Sequence, residues 1–424
     1  MAGTRRRRIL VVAFACAPGR GSEPGAGWTW TLAACQHHDV WLLTSSHQRA
    51  ALEAGLAEHR PDGLLGVRYV EDDVPSLERS ISLRRRRRRD GTTRYRGNSQ
   101  LHYWRWQRAA RRSARALHQE HDFDLAHHLS WGVDWQPTAA AGVPGLPYVW
   151  GPVGGAAPPA WGVARWLGVR GTASEVLREL VTRPLRRLVG RPLARGAALV
   201  VAQNGHEAAA FAGLGPVVVA PHPALDPRRL AELAAEHPSP APPAGRRRAV
   251  LCGRLLPWKG AHLAVAAIAQ APGWQLDVYG GGPARAGAER RAARLGISDR
   301  VTFHGGRPWP EVLGAVAGAD ALLHPAIHDS SPWIVAEAVT LGTPVVCLDS
   351  GGTPEIARVP EGGRAVPVDR RAPAALAAAL DQLPALEPVD WWDLERLPGQ
   401  LEHLYDEALA HDGSGTAPGA RVQA

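Results

Sequence analysis

The chain has 424 residues, 45% of them hydrophobic, which is enough for two or three separately cored domains and excludes a wholly disordered polypeptide. Its 49 Lys+Arg outnumber its 40 Asp+Glu for a net charge of +9, yet every cation but Lys259 is an arginine. The excess is confined to residues 1–220, where 30 arginines face 17 acids, while residues 221–424 carry 19 cations against 23 acids. A basic first half suits an anionic lipid surface or a phosphorylated substrate; no zinc-finger spacing or RNP-like aromatic motif accompanies it, so nucleic acid is not the expected partner. The four cysteines, Cys16, Cys35, Cys252 and Cys347, show no C-x-x-C spacing, so neither a disulfide framework nor a zinc site is expected and a reducing cytoplasm fits.

Taken in chain order, RRRRILVVAFACAPG has two readings: a secretory leader, or the first strand of a nucleotide-binding sheet. The glycine-rich turn GRGSEPGAG, a helical WTWTLAACQHH and a second apolar run VWLLT follow it, and that order favours the strand. Short β-type runs then recur between helical patterns: VRYV, DLAHHL, PYVWG, ALVVAQ and VVVAP in the first half, and RAVLCG, QLDVYG, RVTFHG, ALLHP, TPVVCL and RAVPV in the second. Strands alternating with helices predict an α/β chain with parallel sheets covered on both faces, and ligands in the crevice at the carboxyl ends of the strands. Between residues 71 and 100 an irregular, polar insertion carries the run Arg84 to Arg89, either a solvated loop or an electrostatic foot for an anionic membrane. The proline-rich stretch around 238–243 separates the two strand series. These signals divide the chain into a first doubly wound domain at 1–225, a linker at 226–248 and a second domain at 249–388. An amphipathic helix with a Pro-Gly interruption follows at 389–410, and then a disordered tail at 411–424. No apolar run approaches the roughly 20 residues needed to cross a bilayer.

Two motifs carry chemistry. In AVLCGRLLPWKGAHLAVAAIAQ a buried strand delivers Arg254 and Lys259 from the loop at its carboxyl end, suited to neutralising charge on a diphosphate leaving group. The plainer alternative is surface charge beside a loop. Against it, a compact ammonium survives here in a chain otherwise saturated with guanidinium groups, and the two are not interchangeable. In HPAIHDSSPWIVAEAVTLGTPVVCLDSGGTPE, Ser331 and Pro332 form an N-cap and first-turn pair, with Gly342 at the far end of a helix of about ten residues. Its amino end, with Ser330, Ser331 and Trp333, is an anion site. Glu337 lies further along the axis toward a group beyond the phosphates, Asp329 sits where it accepts hydrogen bonds from sugar hydroxyls, and Gly351 and Gly352 permit close backbone approach. Singly, each acid also reads as a solvated or capping carboxylate.

GRLLPWKG, YGGGP, the Asp329-to-Glu337 spacing and LGTPVVCLDSGGTPE resemble the donor domain of glycosyltransferase family 4. GSEPGAGW, FDLAHHLSWG, VWGPVGGA and VVAPHPALD resemble, more loosely, its acceptor domain. The resemblance implies two Rossmann-like domains facing a cleft, the glycosyltransferase B-type fold, with a carboxy-terminal helix crossing back onto the first domain. It implies that Arg254 and Lys259 hold the donor diphosphate, Glu337 the ribose and Asp329 the donor sugar; the family has Glu where this chain has Asp329. Gly282 and Pro283 match a turn of the donor site, and His304 to Gly306, including Gly305, a region near the base. The family's Asn-Gly at the hinge is replaced by His222-Pro223.

On the acceptor side the resemblance puts Gly21, Ser22, Glu23 and Gly27 in the loop near donor phosphate and acceptor. Glu23 reads equally as an acceptor contact or a helix cap. The resemblance also implies a histidine near the reacting sugar at the end of the strand DLAHHL, at His127 or His128; because alternation sends the two to opposite faces, at most one reaches the cleft, and a core histidine bonded to backbone is the other reading. Trp28, Trp131 or Trp333 are expected to line the cleft. The implied function is a retaining transfer from a nucleotide-sugar donor to a glycan, lipid-linked or small-molecule acceptor, with no metal or other cofactor, in the cytoplasm or at the inner face of the membrane. Three alternatives stand beside it: an inactive binding or scaffold protein of the same architecture, a pyridoxal-phosphate phosphorylase in which Lys259 forms a Schiff base, and an epimerase.

Overall fold

The computed structural model describes residues 6–19, 21–71, 84–87, 93–96, 99–158, 160–240 and 245–412. In chain order the first half supplies β1 (Arg8–Ala13), β2 (Asp39–Ser45), β3 (Leu64–Val70), β4 (Arg84–Arg87), β5 (Thr93–Arg96), β6 (Leu125–Ser130), β7 (Tyr148–Val153), β8 (Leu199–Ala202) and β9 (Val217–Val219). The second half supplies β10 (Arg247–Cys252), β11 (Trp274–Tyr279), β12 (Val301–Gly305), β13 (Ala321–His324), β14 (Val345–Leu348) and β15 (Gly363–Val366). Two open parallel sheets result, one of seven strands in the order β3-β2-β1-β6-β7-β8-β9 and one of six in the order β12-β11-β10-β13-β14-β15. Every run read as a strand from its apolar pattern is one.

β1 is a central strand, with Ile9 in register with Val40 on one side and Leu125 on the other. Ile9 through Ala13 are without exposure, and burying each large aliphatic side chain contributes about 1.5–3 kcal/mol. The strand reading of the amino-terminal apolar run therefore holds. On one face of this sheet lie the helix Ser22–His37 and the last helix, Leu397–Asp412, whose Leu401, Tyr405 and Ala408 share a core with Ile9 and Val11. On the other lies the helix Ser99–His121. The chain's end thus returns to the first sheet, as the resemblance implies. It crosses beside the outward path, where Leu225 N–H donates to Trp392 O at 2.8 Å and Leu394 N–H to Leu225 O at 2.7 Å.

Four expectations about local structure change. Within the stretch read as a linker, Asp226 caps a helix Pro227–Glu236 by accepting the Arg229 N–H at 2.9 Å, and Leu230 and Leu233 pack with Leu313 and Val339 of the second sheet's core. Pro398 and Gly399 do not interrupt the last helix; they lie in its first turn, where a missing N–H is no loss. The first four residues of the Arg84–Arg89 run form β4, antiparallel to β5, whereas Arg88, Arg89 and the tail 413–424 lie outside the described residues. Finally, the segment after β7 leaves the first sheet: Val163 and Leu167 join the core of the second with Leu251 and Leu255. The helix Gly168–Leu185 follows that excursion. Among the described residues no helix is long and apolar enough to cross a membrane.

Candidate functional site

The loop after β10 places its cations by a tight turn. Pro257–Lys259 forms a single 3-10 turn, closed by Gly260 at φ 80°. A Cβ at Gly260 would lie 2.1 Å from Pro325 O, so only glycine lets the loop approach the end of β13. That approach brings Lys259 Nζ into an ion pair with Asp329 Oδ2, which also meets His324 Nε2 at 3.1 Å. Burial alone would raise the Asp329 pKa; the Lys259 ammonium and the His324 hydrogen bond instead hold it well below the usual carboxylate range. Lys259 Nζ also lies 4.6 Å from the Trp258 ring centroid, and Trp258 stacks on His328. Arg254, the other cation of the loop, is exposed.

The helix expected from Ser331 begins later, at Trp333, and runs to Thr340. Pro332 occupies the cap position, no side chain caps the amino end, and Ser331 Oγ is buried without a partner. The serine is turned inward, so the amides at the helix start are left without a side-chain cap. Glu337 is buried on this helix, with Oε1 accepting the Trp309 Nε1–H at 3.1 Å. Burial pushes its carboxyl up to about 7, against the opposing effect of that hydrogen bond. Gly351, at φ 63°, and Gly352 fit against the backbone of Asp329 and Ser330: a Cβ on Gly352 would stand 2.0 Å from Ser330 O. Their close approach is to the protein's own chain. Gly282 similarly lets its turn reach Leu255 O, and Gly305 has φ 76°. His304 stacks on Tyr279 at 4.4 Å and pairs with Asp277 at 3.0 Å, leaving a flat aromatic face at the ends of β11 and β12.

Ser330 is an interdomain contact. Its Oγ donates to Glu207 Oε1 at 3.0 Å and its carbonyl accepts from Asn204 Nδ2 at 2.9 Å. The buried Glu207 also accepts the Gly155 and Ala156 N–H groups at 2.9 and 2.6 Å. Glu355 reaches across in the other direction to the Gly205 N–H, at 2.9 and 3.1 Å from its two oxygens. Trp333 donates from Nε1 to His222 Nδ1 at 2.8 Å, while the His222 carbonyl accepts from Trp30 Nε1 at 3.2 Å. The His222-Pro223 departure thus has a structural role: the imidazole joins the hinge to the donor-side helix, and burial lowers its pKa to about 4. No local sequence pattern marks Glu207, Glu355, His324 or the His222 contact, since each depends on partners brought together only by the fold.

On the other side of the cleft, Gly21 precedes the helix Ser22–His37 without a side-chain cap, and Ser22 takes φ 62°. Glu23 therefore does not cap it. Its Oε2 is buried with no partner, and burial raises its carboxyl to about 7 despite a hydrogen bond from the Gly132 backbone. Gly27 serves packing, because a Cβ there would meet Ala15 O at 2.2 Å. Neither His127 nor His128 reaches solvent. His127 bonds Tyr405 Oη at 2.8 Å and Gly151 O at 2.9 Å; His128 bonds Trp131 O at 3.1 Å. Burial lowers their pKa values to about 3 and about 4. The expectation that one of them faces a reacting sugar is corrected: the returning helix covers one face and the Trp131 loop engages the other ring. Trp28 is half-buried against Gly55, and Trp131 stacks on Tyr103 at 5.3 Å.

Residues 234–389 match the family model described as Glycosyl transferases group 1. Over 182 residues the chain is 30% identical to the D-inositol 3-phosphate glycosyltransferase of Corynebacterium glutamicum (strain R), covering 38% of this chain and 43% of that protein. The chain thus spans less than half the length of this curated relative. Among solved structures, the sucrose-phosphate synthase of Thermosynechococcus elongatus superposes with a TM-score of 0.59 at 18% identity, covering 96% of this chain and 100% of that one. The Anabaena HepE protein in complex with UDP-glucose gives 0.55 at 17% identity, covering 95% and 100%. At these identities the likeness establishes the fold.

Proposed function

We propose that the protein is a retaining, metal-independent glycosyltransferase using a nucleotide-sugar donor; the match of residues 234–389 to the model of the group 1 glycosyl transferases and the two-domain fold of the chain support this reading. The observation that carries this reading is the convergence of Lys259, Asp329 and His324 just before the uncapped helix bearing the buried Glu337. Lys259, Arg254 and the open amides supply the positive charge that a departing nucleoside diphosphate needs, so a metal ion is not required for it. Glu337, balanced near neutrality, accepts hydrogen bonds from the ribose diol. The His304–Tyr279 face takes the base.

Retention proceeds by attack on the face the leaving group vacates. The bond from the anomeric carbon to the diphosphate oxygen breaks, the acceptor oxygen bonds to the same carbon on the same face, and the acceptor's proton passes to the leaving phosphate. Glu23, whose Oε2 is buried without a hydrogen-bond partner beside the loop at the start of the Ser22–His37 helix, is assigned to an acceptor hydroxyl. The acceptor is a sugar or polyol, free or lipid-linked; a relative named for D-inositol 3-phosphate and the basic first half both favour a hydroxyl-rich, partly anionic molecule. We place the protein in the cytoplasm, in keeping with four unpaired, buried cysteines.

The alternative of an inactive binding protein gains one observation: Asp329 holds the same lysine that a diphosphate must meet. A screen of UDP-, GDP- and ADP-sugars for hydrolysis without acceptor, with the released anomer read by NMR, separates the readings. Slow release of one sugar in the donor's own anomeric form, unaffected by EDTA, is expected; no turnover with any donor leaves the inactive reading.

A further inference from the structure

The helix Gly168–Leu185 and the turn after it carry an apolar stripe on the wrong side for a folded protein. Val169, Val176, Leu177, Leu180, Val181 and Leu188 follow one another at spacings of 7, 1, 3, 1 and 7, a helical face. All six point to solvent, with Val169 at 88%, Leu180 at 69% and Leu188 at 74% exposure. The opposite face is the one that packs. Gly171 lies against Pro257, Glu175 is buried and bonded to His328 Nε2 at 3.0 Å, and Thr182 is buried. The stripe is therefore surplus to the fold.

Its surroundings are cationic. Residues 161–196 hold eight arginines against two glutamates, and the glutamates are already engaged: Glu175 by Arg178 and His328, Glu179 by Arg178. Arg183, Arg187 and Arg191 remain exposed along the stripe. An extended apolar ridge with guanidinium groups beside it complements an anionic bilayer, which takes the apolar side chains below its headgroups and the cations at their level. A second copy of the chain would instead set Arg183, Arg187 and Arg191 against their own counterparts in an isologous contact.

We infer that the Gly168–Leu185 helix and its Arg186–Gly190 continuation are a docking surface for an anionic lipid bilayer. The donor-side wall is tied to the same helix through Glu175 and His328, which precedes Asp329. Docking therefore holds the cleft at the membrane surface. This goes beyond the transferase reading and does not depend on it.

Flotation of the full chain with phosphatidylcholine vesicles, with and without phosphatidylglycerol, tests it. Partition is expected only with the anionic lipid. A Leu177→Ser/Leu180→Ser variant is expected to lose at least about tenfold in partition, and an Arg183→Gln/Arg187→Gln/Arg191→Gln variant to lose a similar factor that vanishes at high salt. Nucleotide-sugar binding, read by calorimetry, should be unchanged in both. Failure of the parent chain to float, parent-like partition of the serine variant, loss only when Arg84–Arg89 are neutralised, or a dimer in sedimentation that the serine variant abolishes would each overturn the proposal.

Discussion

Lys259 and Asp329, 70 residues apart in sequence, form a partly buried ion pair at the carboxyl ends of adjacent strands, with His324 as the carboxylate's second partner. The chain's single lysine is thereby held in place, and on the proposed reading a donor diphosphate shares it with Asp329. Asp329→Asn is expected to bind a free nucleoside diphosphate about tenfold more tightly, since one competing negative charge is gone. The same change costs the fold about 3 kcal/mol by leaving a partly buried cation unpaired. Calorimetry with UDP, GDP and ADP, beside thermal melting, reads both; weaker binding would show that Asp329 does not compete.

Glu337 makes stability depend on pH. Its carboxyl is raised from 4.5 to about 7 by burial. A group whose folded pKa is raised contributes stability that is complete below its unfolded pKa and lost as pH rises through the folded one. Glu337→Gln should therefore be more stable than the parent at pH 8, by on the order of 2–3 kcal/mol, and equal to it near pH 4. It should bind donor poorly throughout. Urea midpoints at the two pH values decide the point.

His127 is a packing residue. Replacing it with Ala leaves Tyr405 Oη and Gly151 O without the imidazole, which costs about 3 kcal/mol through unpaired groups and a cavity. Donor binding should stay within twofold of the parent at a temperature where the variant is folded. A selective loss of turnover with unchanged melting would return His127 to the reaction.

The proposed function assigns Glu23 to the acceptor. Glu23→Gln is expected to raise the acceptor KM about tenfold while slow donor hydrolysis, which needs no acceptor, proceeds at the parent's rate. Equal losses in the two reactions would move Glu23 to the donor side.

Thirteen sheet strands were legible because parallel strands covered on both faces are short, continuous apolar runs, and those runs are hard to mistake when glycine-bearing turns bound them. The Arg254–Lys259 loop and the Glu337 helix were legible for the same local reason. The start of that helix was not: Ser331 before Pro332 reads as a cap, yet its hydroxyl turned inward and the helix began at Trp333. The proline-rich 238–243 stretch similarly drew attention from the helix Pro227–Glu236, which packs on elements far away in the chain. His127 and His128 could not be judged without the last helix and the Trp131 loop. Glu207, Glu355 and His222 act through partners 51 to 192 positions distant, a relationship no local pattern contains.

On the proposed reading, Lys259 is the cation facing the donor's leaving diphosphate. The direct test of this is a calorimetric titration of UDP-, GDP- and ADP-sugars into the parent chain and Lys259→Ala, each shown to be folded by circular dichroism. The parent is expected to bind at least one of these donors, and the variant to bind it about a hundredfold more weakly. Affinity in the variant within threefold of the parent would contradict that assignment.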